Sequence, residues 1–123
     1  MEGISSGNNV EGAIKPMQAF EVLDLRVGRI VRVEPNTKAN KPAYKLWIDF
    51  GAELGVKTSS AQITALYVPA DLEQRLIVAA VNLGVRWIAG FASEVLVMGV
   101  ADTEGNVVLL SVERDVPPGS KIY

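Results

Sequence analysis

From Tyr44 to Phe50 the side chains alternate without a break, with Tyr44, Leu46, Ile48 and Phe50 on one side of an extended chain and Lys45, Trp47 and Asp49 on the other. A strand with one buried face satisfies this pattern, whereas a helix would scatter the same residues around its circumference. Trp47 is therefore predicted to point away from the core. The preceding segment, LDLRVGRIVRVEP at residues 23–35, alternates Leu25 and Val27 with polar neighbours, is interrupted by Gly28, and carries arginines at 26, 29 and 32. A bulge at the glycine accounts for that spacing and predicts a long first strand, bent enough to begin a small barrel.

The remaining elements follow from punctuation and period. Met17 and Phe20, with Leu23 completing the face, predict a short helix behind Pro16, covering one end of the barrel. Glu53 to Thr58 reads as a third strand. Ser59 with Gln62 three residues on has the form of a capping box, predicting a helix through about Tyr67 that Pro69 closes. Leu76 to Asn82, Glu94 to Ala101 and Val107 to Val112 read as three further strands, the last two joined by a hairpin turn at Asp102 to Asn106. The order strand, strand, strand, helix, strand, strand predicts an all-β, five-stranded OB-fold barrel. To it are added a hairpin strand, a short helix between strands 3 and 4, and flanking terminal segments. An SH3-like barrel does not readily accommodate a helix at that point. Residues 1–15, rich in Gly, Ser and Asn, read as a flexible N-terminal tail, leaving 16–123 as one domain.

Composition then narrows the chemistry. The chain has no histidine and no cysteine, which removes the usual general base, the common metal ligands, both standard nucleophilic triads and any disulfide. Asp49 with Glu53, or Lys57 with Ser59 and Ser60, lack a base partner, and the glycines match no phosphate-cradling spacing. The expectation is a binding module with no catalytic residues, no metal and no cofactor. Every apolar run is too short to span a bilayer and no basic, apolar leader opens the chain, so a cytoplasmic protein without membrane insertion is expected.

The net charge is -2, yet residues 26–57 hold seven bases against three acids. A folded molecule of this kind can present one basic face without being basic overall. OB-folds bind ligands across strands 2 and 3 and between two loops. The first loop supplies Lys38 and Lys41, the strand face Lys45, Trp47 and Lys57, and the second loop Asn82, Arg86, Trp87 and Ser93. Bases pair with phosphates, exposed aromatics stack on nucleobases, and Asn or Ser bonds base edges or sugars. Arg26, Arg29 and Arg32 read equally as structural partners of Asp24, Glu34 or other acids. If Leu83, Val85, Trp87, Ile88 and Phe91 do not all fit inside one small core, some of them form an exposed patch for a partner, a second subunit or a polypeptide.

Four blocks carry a specific resemblance: LDLRVGRIVRVEP, KLWIDFG (45–51), VKTSSAQI (56–63) and AVNLGVRWIAGFASEVLVMG (80–99). In this order, and across Met17 to Tyr123, the chain resembles the tRNA-binding-domain family and, within it, the CsaA-type export-associated chaperones. The resemblance implies an OB-fold homodimer that binds tRNA. It also implies chaperone activity on unfolded or presecretory polypeptides, in partnership with the export machinery. Carried over by motif, Asn82, Arg86, Gly90 and Ser93 occupy the family's signature loop, while Ser59, Ser60 and Gln62 match the CsaA-type block. Two departures stand out. Val85 precedes Arg86 and Trp87 where the family has proline and two bases, and Glu94, Val95 and Leu96 follow Ser93 in place of the usual x-Gly-Met. Both lower the positive charge of the loop and are compatible with a surface shifted toward polypeptide.

Overall fold

The strand predicted from alternation, β2 (Tyr44–Asp49), buries Tyr44, Leu46 and Ile48 and leaves Lys45, Trp47 and Asp49 half-exposed. In the computed structural model, which describes residues 13–123, it lies antiparallel between β1 (Leu25–Pro35) and β3 (Val56–Ala61). The tail expected at 1–15 falls, except for its last three residues, outside the described residues. β4 (Leu76–Ala80) pairs with the other edge of β1, and β7 (Leu96–Val97) with β4, giving the sheet order β3-β2-β1-β4-β7. The sheet curls into a nearly closed five-stranded barrel around Ile30, Leu46, Ile48, Phe50, Leu72, Ile77 and Ala79. This is the OB-fold architecture that the element order predicts.

Two details of β1 differ from the sequence reading. The register slips between Ile30 and Arg32, so the extra residue is Val31 and the bulge does not sit at Gly28. The bulge turns Arg29, opposite Asp49, and Arg32, opposite Trp47, to the same outer face, whereas Arg26 lies opposite Ala79 on the inner side at the barrel's end. Gly28 serves packing: a Cβ there would stand 2.6 Å from both Ile48 Cγ2 and Phe50 Cε1.

The region after β2 differs from the sequence reading in its boundaries. A helical turn, α2 (Gly51–Leu54), precedes β3, and the strand runs on through Ala61. Ser59 does not cap a helix; it is buried in β3 and its hydroxyl donates to the Val95 carbonyl at 2.9 Å. The helix between the third and fourth strands is α3 (Pro69–Leu72), which Pro69 opens rather than closes. Proline suits a first turn, where the missing N–H has no intrahelical partner to lose. Leu72 from this helix plugs the barrel.

β5 (Arg86–Ile88) and β6 (Phe91–Ser93) form a hairpin absent from the sequence reading. β8 (Gly99–Ala101) and β9 (Val107–Leu109) form the added hairpin, their turn held by the Asp102 carboxylate, which accepts the N–H groups of Glu104 and Asn106. The strand expected over 94–101 is divided at Met98, whose N–H donates to Val78 while its carbonyl accepts from Leu110. Helix α1 (Pro16–Val22) precedes β1, and residues 119–122 bond along the β1 backbone from Leu25 to Val27.

Replacing Gly28 with alanine forces its methyl into the fully buried Ile48 and Phe50. The expected outcome in chemical denaturation is a loss of about 1–3 kcal/mol, as for other overpacked cores.

Candidate nucleic-acid interface

The outer face of the sheet is arranged in rows across β1, β2 and β3: Arg32, Trp47 and Thr58 in one, Glu34, Lys45 and Ser60 in the next. Against it leans the β5–β6 hairpin. Within the hairpin Arg86 pairs with Ser93, Trp87 with Ala92 and Ile88 with Phe91. Alternation therefore aims Arg86, Ile88, Phe91 and Ser93 toward the barrel and Trp87 away from it, leaving Trp87 73% exposed.

The hairpin is fastened to β3 by one hydroxyl from each side. Thr58 Oγ1 donates to the Ala92 carbonyl at 2.7 Å, and Ser93 Oγ accepts the Ser60 N–H at 3.0 Å. Glu94 Oε1 accepts the Thr58 N–H, and the Glu94 N–H donates back to the Thr58 carbonyl. Phe91 then meets the Trp47 ring edge-on at 5.5 Å, with Arg32 stacked on Trp47 at 4.5 Å and Lys45 Nζ 5.3 Å from the Phe91 ring. Trp47 is thus on the outer face, as predicted, but one of its faces is already occupied by a guanidinium.

Not all the candidate residues converge. Lys57 pairs opposite Ile48 and so lies on the other side of the sheet from Lys45 and Trp47. Asn82 is engaged elsewhere: its amide donates to the Val22 carbonyl at 2.8 Å and accepts the Asp24 N–H at 2.9 Å, tying α1 to the barrel. Ser93 is buried and committed to Ser60. Lys38 and Lys41 stand exposed on the β1–β2 loop, whose base is formed by Asn36. Asn36 accepts the Lys38 and Ala39 N–H groups and donates its own to Ala43.

Charge separates into paired and unpaired sets. Arg26 is bound to Asp24 at 2.7 Å and Glu53 at 3.3 Å; the hydrogen bond to Asp24, opposed by desolvation, raises its pKa above the ordinary arginine value. Arg29 bonds Asp115 at 2.9 Å, and Arg32 bonds Glu34. By contrast Lys38, Lys41, Lys45, Lys57 and Arg86 form no ion pair with a carboxylate among the described residues. The arginines of β1 are structural, and near the hairpin the positive charge without an acid partner among the described residues belongs to Lys38 and Lys41 of the loop, to Lys45 of β2 and to Arg86.

Two clefts flank the hairpin. One, of about 440 Å³, lies between the β1–β2 loop and the hairpin tip and is lined by Lys38, Lys41, Ser60, Gln62, Ile88 and Ala89, among others. The other, of about 320 Å³, is more apolar, with Leu83, Ile88, Val95 and Leu96 around Arg86. Gln62 and Ala89 were not among the expected site residues; the only signal for Gln62 was its place in the family block. Of the apolar patch, Leu83, Val85 and Trp87 are exposed, whereas Ile88 and Phe91 are half-buried against the barrel. Nearby, no residue of α1 is buried, and Ile14, Met17 and Val22 are exposed. Among the described residues no helix is long and apolar enough to cross a membrane, and no cluster of acidic side chains is placed to hold a metal.

Residues 25–121 match the family described as "Putative tRNA binding domain", and the chain belongs to that family. Within this class its fold is that of two chaperone structures. CsaA from Bacillus anthracis is 48% identical, with a TM-score of 0.83 over 90% of this chain and 100% of that one. CsaA from Picrophilus torridus is 44% identical, with a TM-score of 0.83 over 89% and 100%. The chain is also 37% identical over 103 residues to the methionine–tRNA ligase of Methanocaldococcus jannaschii, covering 84% of this chain but only 15% of the ligase. The match to the Archaeoglobus fulgidus ligase is 34% over 106 residues, 86% of this chain and 16% of that enzyme. The likeness to these enzymes is thus confined to a small part of each.

Replacing Ser93 with alanine removes the acceptor of the Ser60 N–H. The expected outcome in denaturant titration is a loss of about 1–3 kcal/mol of stability, the usual cost of stranding a partly buried donor.

Proposed function

We propose that the protein is a non-catalytic, homodimeric tRNA-binding module of the cytoplasm that also holds unfolded or presecretory polypeptides for the export machinery. The observation that carries tRNA binding is the segregation of charge: the β1 arginines are neutralised by acids, while Lys38 and Lys41 line one cleft and Arg86 the other, without ionic partners among the described residues. Unpaired cations on a rim of this kind displace counterions from phosphates, and the binding weakens with salt. Family membership supports the same reading.

The chaperone half rests on the likeness to the CsaA structures and on the exposed Leu83, Val85, Trp87 and Leu96 beside the apolar cleft. Dimerisation is supported by α1, which with Leu83 borders an apolar groove and buries none of its own side chains. A holdase with little tRNA affinity is the alternative that the apolar cleft favours.

Fluorescence anisotropy of labelled total tRNA, from low to high salt, is the test. Expected is a log-log slope corresponding to about three or more phosphates, reduced together with affinity in Arg86→Ala. Absence of binding at low salt, with suppression of client aggregation retained, establishes the holdase alternative. In sedimentation velocity the wild type is expected to run as a dimer, and Val22→Asp, which places a charge on the open face of α1, as a monomer.

A further inference from the structure

We infer that the cleft between the β1–β2 loop and the hairpin tip receives a single unstacked nucleotide of an unpaired RNA segment. The inference rests on the tRNA-binding reading and names what that surface takes hold of. The cleft, about 440 Å³, is within the range of small-molecule sites and is bounded by a loop on one side and a hairpin on the other. A double helix presents phosphates and groove edges from a broad convex surface, and a base still in the stack cannot enter between two such walls. A base turned out of the stack can, and RNA-binding proteins reach single nucleotides in this way.

The lining divides as such a ligand requires. Lys38 and Lys41 stand on the loop side, exposed and without ionic partners among the described residues, where phosphates on either side of the base would lie. Gln62, which follows β3, offers an amide with donor and acceptor side by side, and Ser60 a hydroxyl without a hydrogen-bond partner among the described residues. Such a pair reads the edge of a base and not its face. The opposite wall is apolar, from Ile88 and Ala89. Ala89 sits at the hairpin tip with φ +51°, a conformation that glycine or asparagine adopts more readily. Its small side chain keeps that wall low.

No aromatic ring lines the cleft, since Trp47 is covered by Arg32 and Phe91 and Trp87 points outward. Discrimination here therefore falls to hydrogen bonds at the edge, unlike the sequence-tolerant stacking of general single-strand binders.

The experiment uses the full chain and a fluorescein-labelled, single-stranded RNA of about six nucleotides, with a duplex of the same length and total tRNA as comparators. Gln62→Leu removes the amide, and Ala39→Trp puts a bulky side chain into the cleft from the loop with both lysines retained. The single strand is expected to bind, to compete with tRNA, and to weaken about tenfold or more in each variant, with the melting temperatures of both variants confirming folding. The duplex is expected to compete poorly. If the single strand fails to bind the wild type, or binds both variants unchanged, the inference is overturned; tRNA binding that still falls in Arg86→Ala leaves the broader reading standing. If neither RNA binds the wild type, both readings fall together.

Discussion

The barrel closes on hydroxyl groups. β3 and β7 are the edges of the sheet, and β7 has only two residues, too few to supply a full backbone ladder. The hydroxyls of Thr58 and Ser59, which donate to the Ala92 and Val95 carbonyls, and that of Ser93, which accepts the Ser60 N–H, take over that task, beside the Glu94 and Val95 N–H groups that both donate to the Thr58 carbonyl. An open edge would expose unpaired backbone groups, and apolar side chains at 58 and 59 would leave those carbonyls without donors. The same bonds hold β6 on the wall of the barrel and so place the whole hairpin. Arg86, Ile88 and Phe91 have their positions because Thr58 and Ser60 have theirs, and the hairpin so placed forms a wall of both clefts, one of them shared with the β1–β2 loop.

The parts of this architecture visible in the sequence are those written in local period. The alternation of β2 was plain, with Trp47 on the outside, and so was the hairpin at Asp102 to Asn106, whose aspartate holds its own turn. The closure was not visible, because Thr58, Ser59 and Ser60 bond to residues more than thirty positions away and the same Ser-Ser-x-Gln string fits a helix start. The hairpin was missed for a related reason: its two-residue turn is Ala89-Gly90, without the Asn-Gly or Asp-Gly that marks a tight turn. The bulge was displaced by three residues because Gly28 offered the obvious break, while the actual extra residue, Val31, carries no mark at all.

The candidate site was legible as a neighbourhood and less so as a set of roles. Placing Lys38, Lys41, Lys45 and Arg86 together required only the loop and strand order of the fold. Deciding that Asn82 and Ser93 are fastened to protein groups required three dimensions, since their partners, Val22, Asp24 and Ser60, are more than thirty residues distant. The neutralisation of the β1 arginines was similarly divided: Asp24 and Glu34 are two residues from their partners and could be read, but Asp115 reaches Arg29 from the far end of the chain. Net charge over a segment is therefore a poor guide to usable charge. Three of the seven bases between residues 26 and 57 are neutralised by acids, two of which lie outside that segment.

The two clefts share Ser60 and Ile88, and this shared wall bears on how one small barrel could serve two kinds of ligand. The basic side suits phosphate and a polar base edge; the apolar side, with a single arginine, suits hydrophobic side chains. Because the surfaces are adjacent but chemically distinct, neither ligand class has to compromise with the other in a common groove. They nevertheless share a wall, since Ser60 and Ile88 border both. A ligand that displaced Ile88 in one cleft would alter the wall of the other, and by thermodynamic reciprocity any such effect on affinity would run equally in both directions.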